Sequence, residues 1–413
     1  MRTPLGKDRW FLSYFPLNTA AGLSSPLAPL FITEILRGNV VDYSVFAIFS
    51  SLATIIGLFT WGPLSDRLGR RKVFVILAFV SLAVTSVLLS FSFSVTYFIA
   101  ISFIAGFLGS AATPISSVLI MESSERRNWV FKISRFSQYS SYGQIAGVVF
   151  AAFFTGYVRN ASSLRYLYIA AFLFYLISAV MANSLITEPK ERVKRDEVEV
   201  RTFRVIERVR YLPSQIIHFN LHFRNLDKDL KRTIIGFFVM MTGFQLFFVA
   251  FPILLKTLYV NNSVFFLIYL GNYVFGAISF SFAGTFCSRY GNRMATIISV
   301  AGRIFLFPSI ILMIAFIRSA PILFVSLLLL YSVLGALWSF ISVGTATLVS
   351  NLSKPEERGR VSGTYNAVQS FGVVLGSLFT GIIVSRAGFD VNFLIASLVT
   401  AAGLAIFSRV KTR

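Results

Sequence analysis

Apolar runs of about 20 residues recur along the whole chain, separated by short blocks of charge, and no other feature constrains the fold as tightly. A helix of that length crosses the roughly 30 Å hydrocarbon core of a bilayer with its backbone hydrogen bonds satisfied internally. The runs near 10–33, 43–62, 73–92, 96–121, 136–157 and 166–186 supply six spans in the first half. Those near 233–255, 263–286, 294–316, 321–347, 361–384 and 391–408 supply six more. The composition is 56% hydrophobic and only 13% charged, which is wrong for a surface facing water. The 45 Phe residues can face lipid without penalty. The expected fold is an all-α membrane protein of twelve transmembrane helices. The basic start MRTPLGKDRW runs into an apolar stretch broken by Pro16, Pro26 and Pro29, read as a retained first helix.

A net charge of +21 could indicate nucleic acid, but the positions of the charges argue otherwise. They cluster between the apolar runs. With both termini cytoplasmic, the inner segments hold 31 Lys and Arg against six on the outer side, and the positive-inside rule selects that orientation. The basic excess therefore points to membrane lipids as partners and not to nucleic acid. Residues 187–232 carry twelve Lys or Arg and eight Asp or Glu, which cannot stay in hydrocarbon. They form a cytoplasmic linker between an N-terminal six-helix bundle, 1–186, and a C-terminal one, 233–413.

The two halves repeat one another. Pro29 and Pro252 close the first and seventh spans 223 residues apart, and GPLSDRLGRR from Gly62 recurs as GTFCSRYGNR from Gly284 at an offset of 222. Gly143 and Gly147 pair with Gly372 and Gly376 at an offset of 229. Two pseudo-symmetric six-helix bundles follow, an arrangement that places a solute site between them near the membrane midplane.

The loop Gly62 to Lys72, GPLSDRLGRRK, resembles the signature of the major facilitator superfamily at Gly62, Leu64, Ser65, Asp66, Arg67, Gly69, Arg70, Arg71 and Lys72. The resemblance covers essentially the whole chain. It implies a permease that moves a small solute by alternating access, in the cell membrane, as a monomer. It also implies that Gly62, Asp66, Arg67, Gly69, Arg70, Arg71 and Glu122 form a conformational latch. Asp66 would meet the N-terminus of span eleven, where the helix dipole favours a carboxylate, and would pair with Arg70 held by Glu122. The copy in the second half has Ser288 in place of Asp66 and Asn292 in place of Arg70, so any latch there is weaker.

In the family the cavity is lined by spans one, two, four, five, seven, eight, ten and eleven. The resemblance thus nominates Asn18, Tyr142, Gln144, Gln245, Asn272, Tyr273, Trp338, Asn366 and Gln369 as contacts for a small-molecule substrate; packing between helices is the competing role for each. Ser102 stands where many members carry a proton-coupling arginine, and span five lacks the Gly-Pro step of drug/proton antiporters. Arg303 is the one charged residue inside the spans, and snorkelling to the cytoplasmic face, away from substrate, is its expected accommodation. With no acid inside the spans, strong proton coupling is not expected. A neutral or amphipathic solute suits this lining, with efflux favoured over metabolite uptake and a non-transporting sensor as the rival class. One cysteine, Cys287, and the lone pair His218 and His222 give no metal site and no cofactor, and no nucleophile–base pair suggests an enzyme.

Overall fold

The structure, a computed structural model, describes residues 9–68, 70–112, 116, 119, 129–158, 160–186, 226–258, 260–353 and 358–410. Among them every regular element is helical. A 3₁₀ turn, Arg9–Ser13, leads into α1 (Tyr14–Leu30), which continues as a π-helical turn over Phe31–Ile35. The first half continues with α2 (Val40–Leu68), α3 (Arg71–Ser90), α4 (Val95–Gly109), α5 (Trp129–Tyr157) and α6 (Leu164–Leu185). The second half runs through α7 (Lys228–Thr257), α8 (Asn262–Tyr290), α9 (Asn292–Phe316) and α10 (Ala320–Leu352). Its last element, Arg358–Phe407, is broken at Gly388, whose φ of 85° only glycine adopts readily, into α11 (358–387) and α12 (389–407). Eight helical stretches, with α11 and α12 counted together as one, are long and apolar enough to cross a membrane by the described residues alone.

Several boundaries exceed the apolar runs. α2 continues to Leu68, so the Gly62–Leu68 part of the signature is helical and not loop. α7 starts at Lys228 and not near 233, with Arg232 bonded to Asp229 at 3.2 Å and to the Arg409 carbonyl at 3.3 Å. The reason is common to both. Hydrophobicity marks only the part of a helix inside hydrocarbon, whereas the backbone ladder can continue into the headgroup region with charged side chains attached.

The internal repeat is written in the packing. In the first half a Cβ on Gly143 would lie 2.5 Å from the Phe15 carbonyl oxygen, and one on Gly147 would clash with that of Thr19. In the second half a Cβ on Gly372 would lie 2.8 Å from the Phe238 carbonyl oxygen, and one on Gly376 2.5 Å from that of Thr242. Phe238 and Thr242 stand 223 residues after Phe15 and Thr19, the offset of the Pro29–Pro252 pair. α5 therefore touches α1 at backbone distance just as α11 touches α7. Such contact is the main source of attraction between helices in lipid, where burial of apolar surface gives no advantage.

The first and last described residues lie on one side of the molecule. Trp10 packs on Phe136 near the start of α5, while Arg293 at the start of α9 donates to the carbonyl of Ser408 after α12. The ends of α1 and α7 define the opposite, far side.

Candidate functional site

A cavity of about 420 Å³ lies between the halves. α5 contributes Ser141 and Gln144; α7 contributes Phe244, Gln245 and Phe248; α8 contributes Asn272, Tyr273 and Phe280; α9 contributes Arg303; α10 contributes Tyr331 and Trp338. The amides follow from helical spacing: Met241, Phe244, Gln245 and Phe248 recur at three- and four-residue steps and so share one face of α7. Asn272 is anchored by its Nδ2, which donates to the Tyr331 carbonyl at 2.8 Å and ties α8 to α10. Tyr273 faces Ser25 of α1 across the interface. Pro29 lacks an N–H, so the Ser25 carbonyl loses its helical donor, and a π turn follows directly.

Gln144, Gln245, Asn272, Tyr273 and Trp338 thus fall on the cavity lining. The other sequence candidates fall elsewhere. Asn18 is half-buried and donates to the Tyr14 carbonyl at 2.7 Å, where it packs beside Gly143. Tyr142 is 58% exposed, Asn366 is exposed and Gln369 half-buried, each outside the lining among the described residues. Within the latch, Gly62, Asp66 and Arg67 are described only as helical backbone of α2, while Gly69 and Glu122 lie outside the described residues. Arg70 is exposed ahead of α3, and Arg71 donates to the Ser65 hydroxyl at 3.0 Å. His218 and His222 also lie outside the described residues.

Arg303 overturns the expectation of snorkelling. It is 1% exposed, and its guanidinium sits 4.4 Å from the Phe244 ring centroid, 5.2 Å from that of Phe248 and 5.4 Å from that of Trp338. One terminal nitrogen, Nη2, donates to the Leu334 carbonyl at 3.0 Å. Nε and Nη1 are buried and have no hydrogen-bond partner among the described residues. The side chain stays in the interior because three aromatic faces and a carbonyl solvate it there. Its presence inside a span was the visible signal; its direction was not, since that depends on which helices surround α9.

On the far side the halves are joined. Lys256 at the end of α7 pairs with Glu34 at the end of α1, and both side chains are largely buried. Asn262 donates to Glu34 at 3.0 Å and accepts from Lys256 at 3.0 Å, while Lys256 also donates to the Val260 carbonyl at 2.9 Å. Next to this network Ser263 of α8 donates to the Ala152 carbonyl of α5 at 2.9 Å, and Gly381 of α11 lies against Ser44 of α2. Cross-bundle closure at one end and a lined cavity between the halves are what an alternating-access carrier requires.

A sequence model of the Major Facilitator Superfamily matches residues 10–342 and 233–413. The chain belongs to that superfamily. It is therefore a member of a transporter family and an integral membrane protein. No curated protein matches it by sequence. Among solved structures it is similar to the nucleoside transporter NupG, at 15% identity and a TM-score of 0.70 over 98% of this chain and 99% of that one. It is also similar to a mutant peptide transporter POT in complex with sulfate, at 14% identity and a TM-score of 0.72 over 98% and 95% of the two chains. The human organic anion transporter MFSD10 (TETRAN) aligns at 16% identity and a TM-score of 0.61 over 98% and 100%. These likenesses concern the fold. This superfamily member keeps the shared scaffold.

Proposed function

We propose that this chain is a secondary carrier that moves a small amphipathic organic solute through the midplane cavity, with the two bundles rocking about it. The observation that carries the reading is the pairing of a lined cavity with a far-side closure made of contacts between the halves: Glu34 with Lys256, Ser263 with Ala152, and Gly381 with Ser44. In this state the solute would exchange with the side that bears the chain ends. The charge count favours the cytoplasm for that side, with the chain in the cell membrane and both termini cytoplasmic. The aromatic lining suits amphipathic compounds, and efflux is the direction we adopt. We keep the division into bundles 1–186 and 233–413 around the linker 187–232, with the first helix of the second bundle reaching back to Lys228.

The far-side contact supplies the test. A Cβ placed on Gly156 would lie 3.7 Å from the Ser263 Cβ, inside the range of about 3.5–4.5 Å that a disulfide spans. In a background where the buried Cys287 is replaced by Ser, Gly156→Cys with Ser263→Cys should oxidise readily. Flux in proteoliposomes should then stop and return on reduction, with solute binding retained. Unchanged flux in the oxidised protein would refute rocking about this closure. A wild-type protein that binds solute but never moves it would instead be a sensor.

A further inference from the structure

We infer that Arg303 receives the anionic group of the transported solute, and that the solute class is a small aromatic carboxylate. The inference rests on the carrier reading above and deepens it. Three observations converge on it. Arg303 is among the residues lining the cavity and is 1% exposed, so its guanidinium sits just behind the wall, closed off from water by the rings of Phe244, Phe248 and Trp338. Nε–H and Nη1–H have no partner among the described residues, although unmade bonds to a buried charged donor are costly. And the described residues lining the cavity include no Asp or Glu, so a lone positive charge stands beside a chamber whose polar groups are amides and hydroxyls among rings and aliphatic side chains.

A permanent structural role would be expected to satisfy those donors, as buried charges normally are. Here one nitrogen is fixed by Leu334 and three rings hold the plane of the group, which leaves two donors oriented with little freedom left to lose. Such preorganisation suits an incoming anion. One cation calls for one negative charge, and Phe244, Phe248, Phe280 and Trp338 call for an aromatic body. Gln144 and Gln245, from opposite halves, add amides that can hold a polar substituent.

The test uses matched pairs of probes that share a body and differ in charge: 2-naphthoate with 2-naphthamide, and 3-phenylpropanoate with 3-phenylpropanamide. Binding is measured by calorimetry on the full-length protein in detergent, and flux separately in proteoliposomes. Wild type should bind the carboxylates more tightly than the amides by about tenfold to a hundredfold, the usual weight of a charge-assisted bond in a site closed to water. Arg303→Gln should abolish that preference and leave amide affinity nearly unchanged. Arg303→Lys keeps the charge and so guards against a folding defect in the glutamine variant; it should weaken carboxylate binding yet still prefer carboxylate to amide. The inference fails if neither carboxylate binds, if the amides bind as well as the carboxylates, if the preference survives Arg303→Gln, or if it disappears in Arg303→Lys. Binding of carboxylates without their movement would sink the carrier reading and leave the anion site standing. Movement of the amides alone would do the reverse.

Discussion

The two halves of this carrier agree in packing and disagree in charge. α5 meets α1 through Gly143 and Gly147 as α11 meets α7 through Gly372 and Gly376, on carbonyls of equivalent register. At the same registers the charged residues differ. Arg303 in α9 stands where α3 has Ser81, 222 residues earlier. At the far side Thr33 and Glu34 correspond, by the offset of 223, to Lys256 and Thr257, so each half brings a charge the other lacks and the two meet as an ion pair. In the signature, Asp66 and Arg70 correspond to Ser288 and Asn292. Backbone contact must be kept in both halves because each bundle has to stand alone in lipid. Charge is free to diverge, since a cross-bundle closure needs opposite signs on its two sides.

The packing half of this comparison predicts the largest effect. Gly147→Ala and Gly376→Ala each force a methyl group onto a helix backbone that cannot yield as a side chain would, and each should destabilise by at least about 1–3 kcal/mol. Thermal unfolding in detergent should show similar drops for the two. A large drop in one half only would break the equivalence.

The far-side pair gives the next effect. Glu34→Lys alone or Lys256→Glu alone sets like charges together, and should favour the state opened on the far side by roughly 1–3 kcal/mol, a shift of about fivefold to 150-fold. The double exchange, Glu34→Lys with Lys256→Glu, should restore the wild-type balance. The reading is accessibility of cysteines at the exposed Asn160 and Asn261 flanks together with flux, and failure of the double exchange to recover would show that Asn262, not the charge pair, holds the closure.

Smallest is the contrast between the two copies of the signature. If Asp66 latches the opposite side at the dipole of α11, Asp66→Asn should cost that closed state about 0.3–2 kcal/mol and lower turnover more than binding. Ser288→Asn should change neither, because Ser288 is a surface hydroxyl bonded to the Thr285 carbonyl of its own helix. Equal effects from both substitutions would return the signature to a topological role alone.

Much of the scaffold was legible because membrane physics leaves few choices. Apolar length located the helices, although α2 and α7 outrun their apolar segments, since a helix does not end where hydrocarbon does. Of the site, Gln144, Gln245, Asn272, Tyr273 and Trp338 could be nominated because amides and rings in inward-facing spans are conspicuous, and they do line the cavity. Asn18 shows the limit. It lies on an inward-facing span too, but one helical step turns its side chain onto its own backbone and toward Gly143.

The sequence by itself determined that the chain enters a membrane as repeated helices in two related halves and that it carries the superfamily signature, because hydrophobic length, repeat offsets and motif residues are properties of linear order. Only the tertiary structure decided where Arg303 points and that Glu34 meets Lys256. Both depend on partners more than 30 residues away or in the other half: the Leu334 carbonyl and the rings of Phe244 and Trp338 for the arginine, the far ends of α1 and α7 for the pair. A buried charge takes the conformation its surroundings solvate best, and those surroundings exist only once the helices have packed.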